Sequence, residues 1–228
     1  MTQADGTKTP RERYRAQVRT EIKERAWEQI ATAGASALSL NAIAKQMGMS
    51  GPALYRYYGG RDDLITELVR DAYRSLADTI AATAAKDGAE VAALAHALRD
   101  WALRDPHRYF LIYGTPVPGY HAPDDITAIS SEIMALLLDA CATVDRDAPA
   151  TPFGDHLEEH REWADGHPAP PAALHRAMTF WTRLHGVLSL ELAGHFRGMG
   201  FDPAQLFAAE VESLASTASA PGTASSAP

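Results

Sequence analysis

Two groups of residues in this 228-residue chain have the types and spacing to do chemistry. The first is His156-Leu-Glu-Glu-His160, an H-x-x-E-H pattern. On a helix it places two imidazoles one turn apart with a carboxylate beside them, as a zinc peptidase needs. Its surroundings argue against that use. The segment is polar, bounded by Thr151-Pro152 and Gly166-His167-Pro168, without an apolar stripe to bury a metal, and five residues match easily by chance. The second group lies within Leu40–Tyr58. There the amide of Asn41 and the guanidinium of Arg56 are suited to bidentate pairing with adenine and guanine edges. Gly51, Pro52 and Ala53 are small enough to let a helix start approach a groove closely, and Ala53 or Pro52 can touch a thymine methyl.

The elements that must position this second group are two short helices and a tight turn. Ser39 is an N-cap residue for a helix running to about Met47, and Gly48 supplies the left-handed conformation of a sharp turn. Ser50 is placed to cap the next helix, with Pro52 in its first turn, where a missing N–H costs nothing. Ile43, Met47, Met49, Leu54 and Tyr57 can close a small core, and Ala44 is short enough for the helices to cross. This is the steric pattern of a helix-turn-helix. An ordinary αα-hairpin shows the same spacing.

Leu40, Ile43, Ala44, Gly48, Ser50, Leu54, Tyr55, Tyr58 and Leu64, in register and followed by Gly59-Gly60-Arg61-Asp62-Asp63, resemble the DNA-binding domain of the TetR/AcrR transcriptional regulators over about residues 20 to 66. Two positions depart from the family: Tyr58 stands where Phe is frequent, and Arg61 where Lys is. Both keep the chemistry, an aromatic core plug and a cation near phosphate. The resemblance implies that Tyr55, Tyr57 and Arg61 bond phosphates, with Ser39 assisting at a helix N-terminus. The expected DNA-facing set is therefore Ser39, Asn41, Ser50, Gly51, Pro52, Ala53, Tyr55, Arg56, Tyr57 and Arg61.

The charge distribution agrees. The net charge is -8, yet residues 1–61 hold ten basic residues (Lys8, Arg11, Arg13, Arg15, Arg19, Lys23, Arg25, Lys45, Arg56, Arg61) against five acids (Asp5, Glu12, Glu21, Glu24, Glu28). A basic head on an acidic body turns only the head toward phosphate. Residues before Arg19 are candidates for the backbone or the minor groove. For Lys23 and Arg25 a solvated helix face is an equal reading. With 46% hydrophobic residues the chain can bury one or two cores. No apolar run is expected to span a bilayer, and the polar N-terminus lacks a signal core, which points to a cytoplasmic protein without a membrane partner. The one cysteine, Cys141, reads as a small buried hydrophobe rather than a redox sensor.

Segmentation gives an all-α chain of about nine helices. A disordered N-terminus (1–10) precedes a three-helix DNA-binding domain (11–60), whose first helix carries Ile22, Ala26, Trp27 and Ile30 and is ended by Gly34. A helical effector-binding and dimerisation domain (61–216) and a disordered Ala/Ser/Pro/Gly tail (217–228) follow. Leu64, Leu68, Ala72, Leu76 and Ile80 form one stripe of a long helix from Arg61 to about Ala85. Asp105-Pro106 and Asp202-Pro203 read as caps of further helices, and 146–170 reads as an unusually long connection.

The helix expected over about 171–196 is apolar nearly all round and needs partners on two sides. Met178, Gly186, Leu188, Leu192 and Gly194 are the candidate homodimer contacts, with the two glycines eight apart on a shared face; a helix central to a monomer core is the other reading. Trp181-x-x-x-His185-Gly186 also resembles the C-terminal domain of a TetR subgroup named for Trp-His-Gly. Trp101, Tyr109, Phe110, Tyr113, Tyr120, His121, Phe180, Trp181 and His185 are candidates to line an effector site, since aromatic bodies with polar tips orient an organic ligand; plain core is the other reading for each.

The resemblance implies a regulator that binds a pseudo-palindromic double-stranded operator as a homodimer, represses, and is released by a small organic effector. No cofactor, catalytic residue or metal is expected. Two other classes stay open: a helical DNA-binding protein without a ligand response, and a zinc-dependent hydrolase.

Overall fold

The computed structural model describes residues 9–144 and 151–216. Expectations for 1–8, 145–150 and 217–228 fall outside them. All regular structure in the described residues is helical.

Thr9 opens α1 (Pro10–Ala33) with a reciprocal capping box: its backbone N–H donates to Glu12 Oε2 at 2.7 Å, and Glu12 N–H donates to Thr9 Oγ1 at 3.3 Å. Thr9 and Pro10, assigned from the sequence to the polar N-terminal stretch, are thus the helix start. Gly34, at φ +79°, ends it, and a 3-10 turn spans Ala35–Ala37. Next come α2 (Leu40–Gln46), α3 (Gly51–Leu54) and α4 (Arg61–Asp87). The chain continues with α5 (Val91–Arg104), α6 (Pro106–Tyr113), α7 (Asp124–Thr143), α8 (Pro152–Glu159), α9 (Pro171–Leu192) and α10 (Pro203–Ala215).

The Asp-Pro signals behave as expected. Asp105 Oδ1 accepts from Arg108 N–H at 3.1 Å to start α6, and Asp202 Oδ1 accepts from Ala204 N–H at 2.9 Å to start α10. The same signal, Thr151-Pro152, starts α8, with Thr151 Oγ1 accepting from Gly154 N–H at 3.0 Å. This corrects the reading of 146–170 as one long connection: Thr151 caps α8, and Pro152, Gly154 and Asp155 lie in its first turn. α9 is shorter than expected. It stops at Leu192, and Gly194 at φ +79° lies past its end, so Gly186 and Gly194 do not share a helix face.

Contacts divide the chain into two units: Met1–Asp71 with Thr115–Pro123, and Ala72–Gly114 with Asp124–Pro228. The division falls inside α4. In the first unit α1 contributes Val18, Ile22, Ala26 and Ile30 to a core completed by Leu40, Ile43, Leu54, Tyr58, Leu64 and Leu68. Each such aliphatic burial removes enough apolar surface to contribute about 1.5–3 kcal/mol. In the second unit Leu94, Trp101, Tyr109, Leu138, Leu174, Leu184, Leu188 and Phe207 form the centre. Arg99 on α5 pairs with Glu191 on α9 at 2.6 Å and lies over the ring of Phe207.

The sequence reading finds no run long and apolar enough to span a bilayer, and α7 differs from it in length and composition alone. Its 20 residues are long and apolar enough, by length and composition, to cross a membrane. Ile126, Ile129, Ile133, Leu137, Leu138, Ala140 and Cys141 are instead buried in the protein, and α7 packs against α9. Burial pushes the Cys141 thiol up to about 12.

Candidate nucleic-acid interface and ligand cavity

The helix-turn-helix is built as its sequence requires. Ser39 Oγ accepts from Ala42 N–H at 3.3 Å, while Ser39 N–H donates to Gln29 Oε1 at 3.0 Å, which ties the start of α2 to α1. Gly48 takes φ +64°, which lets Met49 N–H donate back to Ala44 C=O at 2.8 Å and turns the chain sharply into α3. Leu54 and Tyr58 are the buried plugs of the second helix. Met47, Met49 and Tyr57, expected in the core, are only part-buried. Ser50 makes no side-chain cap, contrary to its expected role. Ser50 and Pro52 are exposed, with Gly51 and Ala53 half-buried beside them. The Asn41 side chain stands beside Gly51, where a Cβ would meet its Oδ1 at 3.5 Å. The polar end of α2 and the small opening of α3 therefore form one surface.

The cations divide into two sets. Arg19 donates to Tyr57 C=O at 3.0 Å, pairs with Glu67 at 3.1 Å and lies 4.5 Å from the centroid of the Tyr58 ring. Lys23 pairs with Asp71 and Arg25 with Glu28, so neither is a bare solvated cation. Burial pushes the Tyr58 phenol up to about 12. Arg61 is committed within the unit, because its Nη2 donates to Ala35 C=O at 3.0 Å and Ser36 C=O at 3.2 Å. It clamps the start of α4 to the 3-10 turn. Lys45 and Arg56, by contrast, are exposed on α2 and just past α3, and Tyr55 beside Arg56 is 47% exposed. Sequence reasoning could not sort these sets, since pairing with Glu67 or with a distant carbonyl leaves no local signature.

The second unit holds a narrow cavity, partly open to solvent; the space not filled by atoms in and around it, open solvent included, is about 330 Å³. α4 supplies Leu76 and Ile80, α5 Leu94 and Leu98, α6 Tyr113, α7 Ile133 and Leu137, and α9 Phe180, Trp181 and His185. Of the nine aromatic and His candidates, Tyr113, Phe180, Trp181 and His185 line it. The rest are corrected. Trp101 is core and donates its indole N–H to Ser75 Oγ at 3.2 Å. Tyr109 is fully buried, and Phe110 packs edge-on against it. Tyr120 and His121 belong to the 115–123 segment of the first unit. The aliphatic lining was missed, although the stripe through Leu76 and Ile80 and the Leu94/Leu98 pair was its visible signal.

His185 is held from behind. Its Nδ1 is 3.0 Å from the Tyr109 phenol oxygen, which also lies 3.2 Å from His185 C=O and 2.9 Å from Ser189 Oγ, with one phenol proton to share among the three. Burial lowers His185 to about 4, so the imidazole is neutral. The Tyr113 phenol is pushed well above its ordinary value, first by burial and then by Tyr73 and Tyr109. Both Tyr113 Oη and His185 Nε2 are buried without a hydrogen-bond partner.

The His156 motif is intact but superficial. Ligand atoms of His156, Glu159 and His160 lie within 4.8 Å of one another, and all three residues are exposed. His160 falls past the end of α8, where its Nδ1–H is placed to donate to His156 C=O at 3.0 Å. A metal held there would stand in water.

Among the proposed dimer residues, Leu188 is corrected: it is 0% exposed within one subunit and cannot meet another. Met178 and Leu192 are part-buried against the core, while Gly186 is exposed with open space above it. Leu190, one turn from Gly186, is 44% exposed and had not been singled out.

A helix-turn-helix unit with exposed cations on α2 and just past α3, continued by α4 into an all-helical unit that holds a cavity, is the plan of a two-part DNA-binding regulator. Residues 22–68 match the profile of the bacterial regulatory proteins of the tetR family, and 91–214 match the tetracyclin repressor-like C-terminal domain. The chain is 36% identical over 217 residues to the HTH-type transcriptional regulator Mb1846 of Mycobacterium bovis, covering 88% of this chain and 92% of the relative. It resembles the crystal structure of SCO4313 at 70% identity and a TM-score of 0.83, over 90% of this chain and 98% of that one. A protein of unknown function from Rhodococcus sp. RHA1 shares the fold at 19% identity and a TM-score of 0.62, over 86% and 92% of the two chains. The chain belongs to the TetR family of transcriptional regulators.

Proposed function

We propose that this regulator is a ligand-responsive repressor, which binds a pseudo-palindromic operator as a homodimer and is released by a small organic effector. The observation that carries this reading is the narrow apolar cavity, two of whose lining residues, Tyr113 and His185, carry buried polar atoms without a partner. A regulator without a ligand response has no use for such a defect, since each unpaired buried group costs about 1–3 kcal/mol.

On the DNA side, Asn41, Gly51, Pro52, Ala53 and Arg56 face base edges. Ser39, Tyr55 and Tyr57 bond phosphate, and Lys45 joins them as an exposed cation. Arg61 acts as the clamp described above and reaches phosphate only if it leaves a carbonyl. Two copies meet through the exposed strip of α9 around Gly186 and Leu190, which sets two recognition helices about one DNA turn apart. α4 carries the signal, because it supplies Leu64 and Leu68 to the first core and Leu76 and Ile80 to the cavity wall. A ligand that parts the wall favours one position of α4 over another and shifts the population away from the DNA-bound form. The setting is cytoplasmic.

The test is selection of genomic fragments by the purified protein, followed by fluorescence anisotropy on the selected duplex with and without candidate effectors. Sequence-selective binding that an effector weakens supports the reading; selective binding that no compound alters overturns its ligand-responsive part.

A further inference from the structure

We infer that the cavity takes an uncharged, largely hydrocarbon molecule bearing a single hydrogen-bonding oxygen, which sits between the Tyr113 hydroxyl and His185 Nε2. This rests on the ligand-responsive reading and narrows it to a chemical class.

Tyr113 on α6 and His185 on α9 both line the cavity, each carries one buried polar atom without a partner, and their ring centroids are 4.2 Å apart. Trp181 closes against both rings, at 5.4 Å from Tyr113 and 4.5 Å from His185. Tyr113 Oη and His185 Nε2 are the unpartnered polar atoms carried by residues of an otherwise aliphatic and aromatic lining. Tyr113 keeps its proton and acts as a donor. His185 Nε2 is an acceptor when Nδ1–H donates to Tyr109, and a donor when Tyr109 donates to Nδ1. A ligand hydroxyl accepts from Tyr113 and donates to a bare Nε2; a ligand carbonyl accepts from Tyr113 and from Nε2–H. One neutral oxygen therefore satisfies both atoms in either tautomer.

Charged ligands do not fit. The lining carries no Asp, Glu, Lys or Arg, and the imidazole is neutral. A carboxylate or ammonium would be stripped of water with no counter-charge, a cost that hydrogen bonds from neutral groups do not offset. A molecule with several polar groups would leave all but one of them facing Leu, Ile and Phe side chains. The slot is narrow in this conformation, so a slender chain enters with the least parting of α4, α5 and α7.

The test uses four C8 probes at pH 7.5 on the full chain: octan-2-one, octan-1-ol, octanoate and octylamine. Affinity is read by thermal shift and calorimetry, and operator affinity is read in the same samples. The ketone or the alcohol should bind at least about tenfold more tightly than either ion, and Tyr113→Phe should reduce that affinity about tenfold in a protein with unchanged circular dichroism. The preference between ketone and alcohol reports the His185 tautomer. Tighter binding of octanoate or octylamine, binding of none of the four, or indifference to Tyr113→Phe overturns the proposed chemistry. Tight binding of the alcohol or ketone without any change in operator affinity sustains the chemistry and overturns ligand release.

Discussion

The phenol oxygen of Tyr109 lies 3.0 Å from Nδ1 of His185 and 2.9 Å from Oγ of Ser189. One buried hydroxyl thereby orients the imidazole and leaves its other nitrogen without a partner. Tyr109→Phe should keep the packing but strand two polar groups, lowering stability by about 1–3 kcal/mol. Release of the ring is checked by imidazole ¹⁵N shifts, which a purely structural role for Tyr109 would leave in place.

His185 also gives the protein an acid dependence. Its folded value, about 4, lies below the ordinary 6.5 because burial disfavours the cation, so the unfolded chain binds the proton first. This group has no effect on stability above pH 6.5. Stability falls as pH drops from 6.5 toward 4, reaching a loss of about 3 kcal/mol below that, at about 1.4 kcal/mol per pH unit. Denaturant titrations of wild type and His185→Phe across pH 4 to 8 should differ by a slope confined to that window.

Arg56 and Arg61 should separate by assay. Arg56 is exposed, so Arg56→Ala should leave thermal stability unchanged, relax sequence preference and cost about 1–3 kcal/mol in operator binding. Arg61 holds the Ala35 and Ser36 carbonyls, so Arg61→Ala should lower stability by about 1–2 kcal/mol and weaken every duplex alike. Anisotropy on matched and scrambled duplexes, beside thermal melts, checks both; equal behaviour of wild type and Arg56→Ala on every duplex would rule out the base contact.

Gly186 and Leu188 sit two residues apart on α9 and should respond in opposite ways. A side chain at Gly186 meets nothing within the subunit, so Gly186→Leu should fold normally and halve the mass seen in sedimentation velocity. Leu188→Ala should cost about 2–5 kcal/mol of stability through the cavity it leaves, with no independent effect on association. An unchanged mass for Gly186→Leu would remove this face from the interface.

Cys141 is buried with its thiol pushed up to about 12, so the native protein should resist alkylation at pH 8. Labelling followed by mass spectrometry, with and without denaturant, checks this.

Much of the fold was legible because its signals are local. Gly34, Gly48, Asp105-Pro106 and Asp202-Pro203 act through the backbone within a few residues, and each marks a helix end in the structure. Thr151-Pro152 carries the same signal, but it stands among Asp, Pro and Gly residues that equally suit a loop. The spacing from Leu40 to Tyr58 allows an αα-hairpin as well as a helix-turn-helix, and the register continued through Leu64 with the basic head is what narrows it. So the sequence by itself determined a helical chain, a helix-turn-helix and a basic head. Tertiary structure alone decided which arginines are free, because Arg61 and Arg19 find their carbonyl and carboxylate partners across tens of residues. It also decided which aromatics face space. Tyr109 and Tyr113 are one helical turn apart on α6, yet one is sealed behind His185 and the other lines the cavity, a difference set by the helix that packs on them rather than by their own spacing.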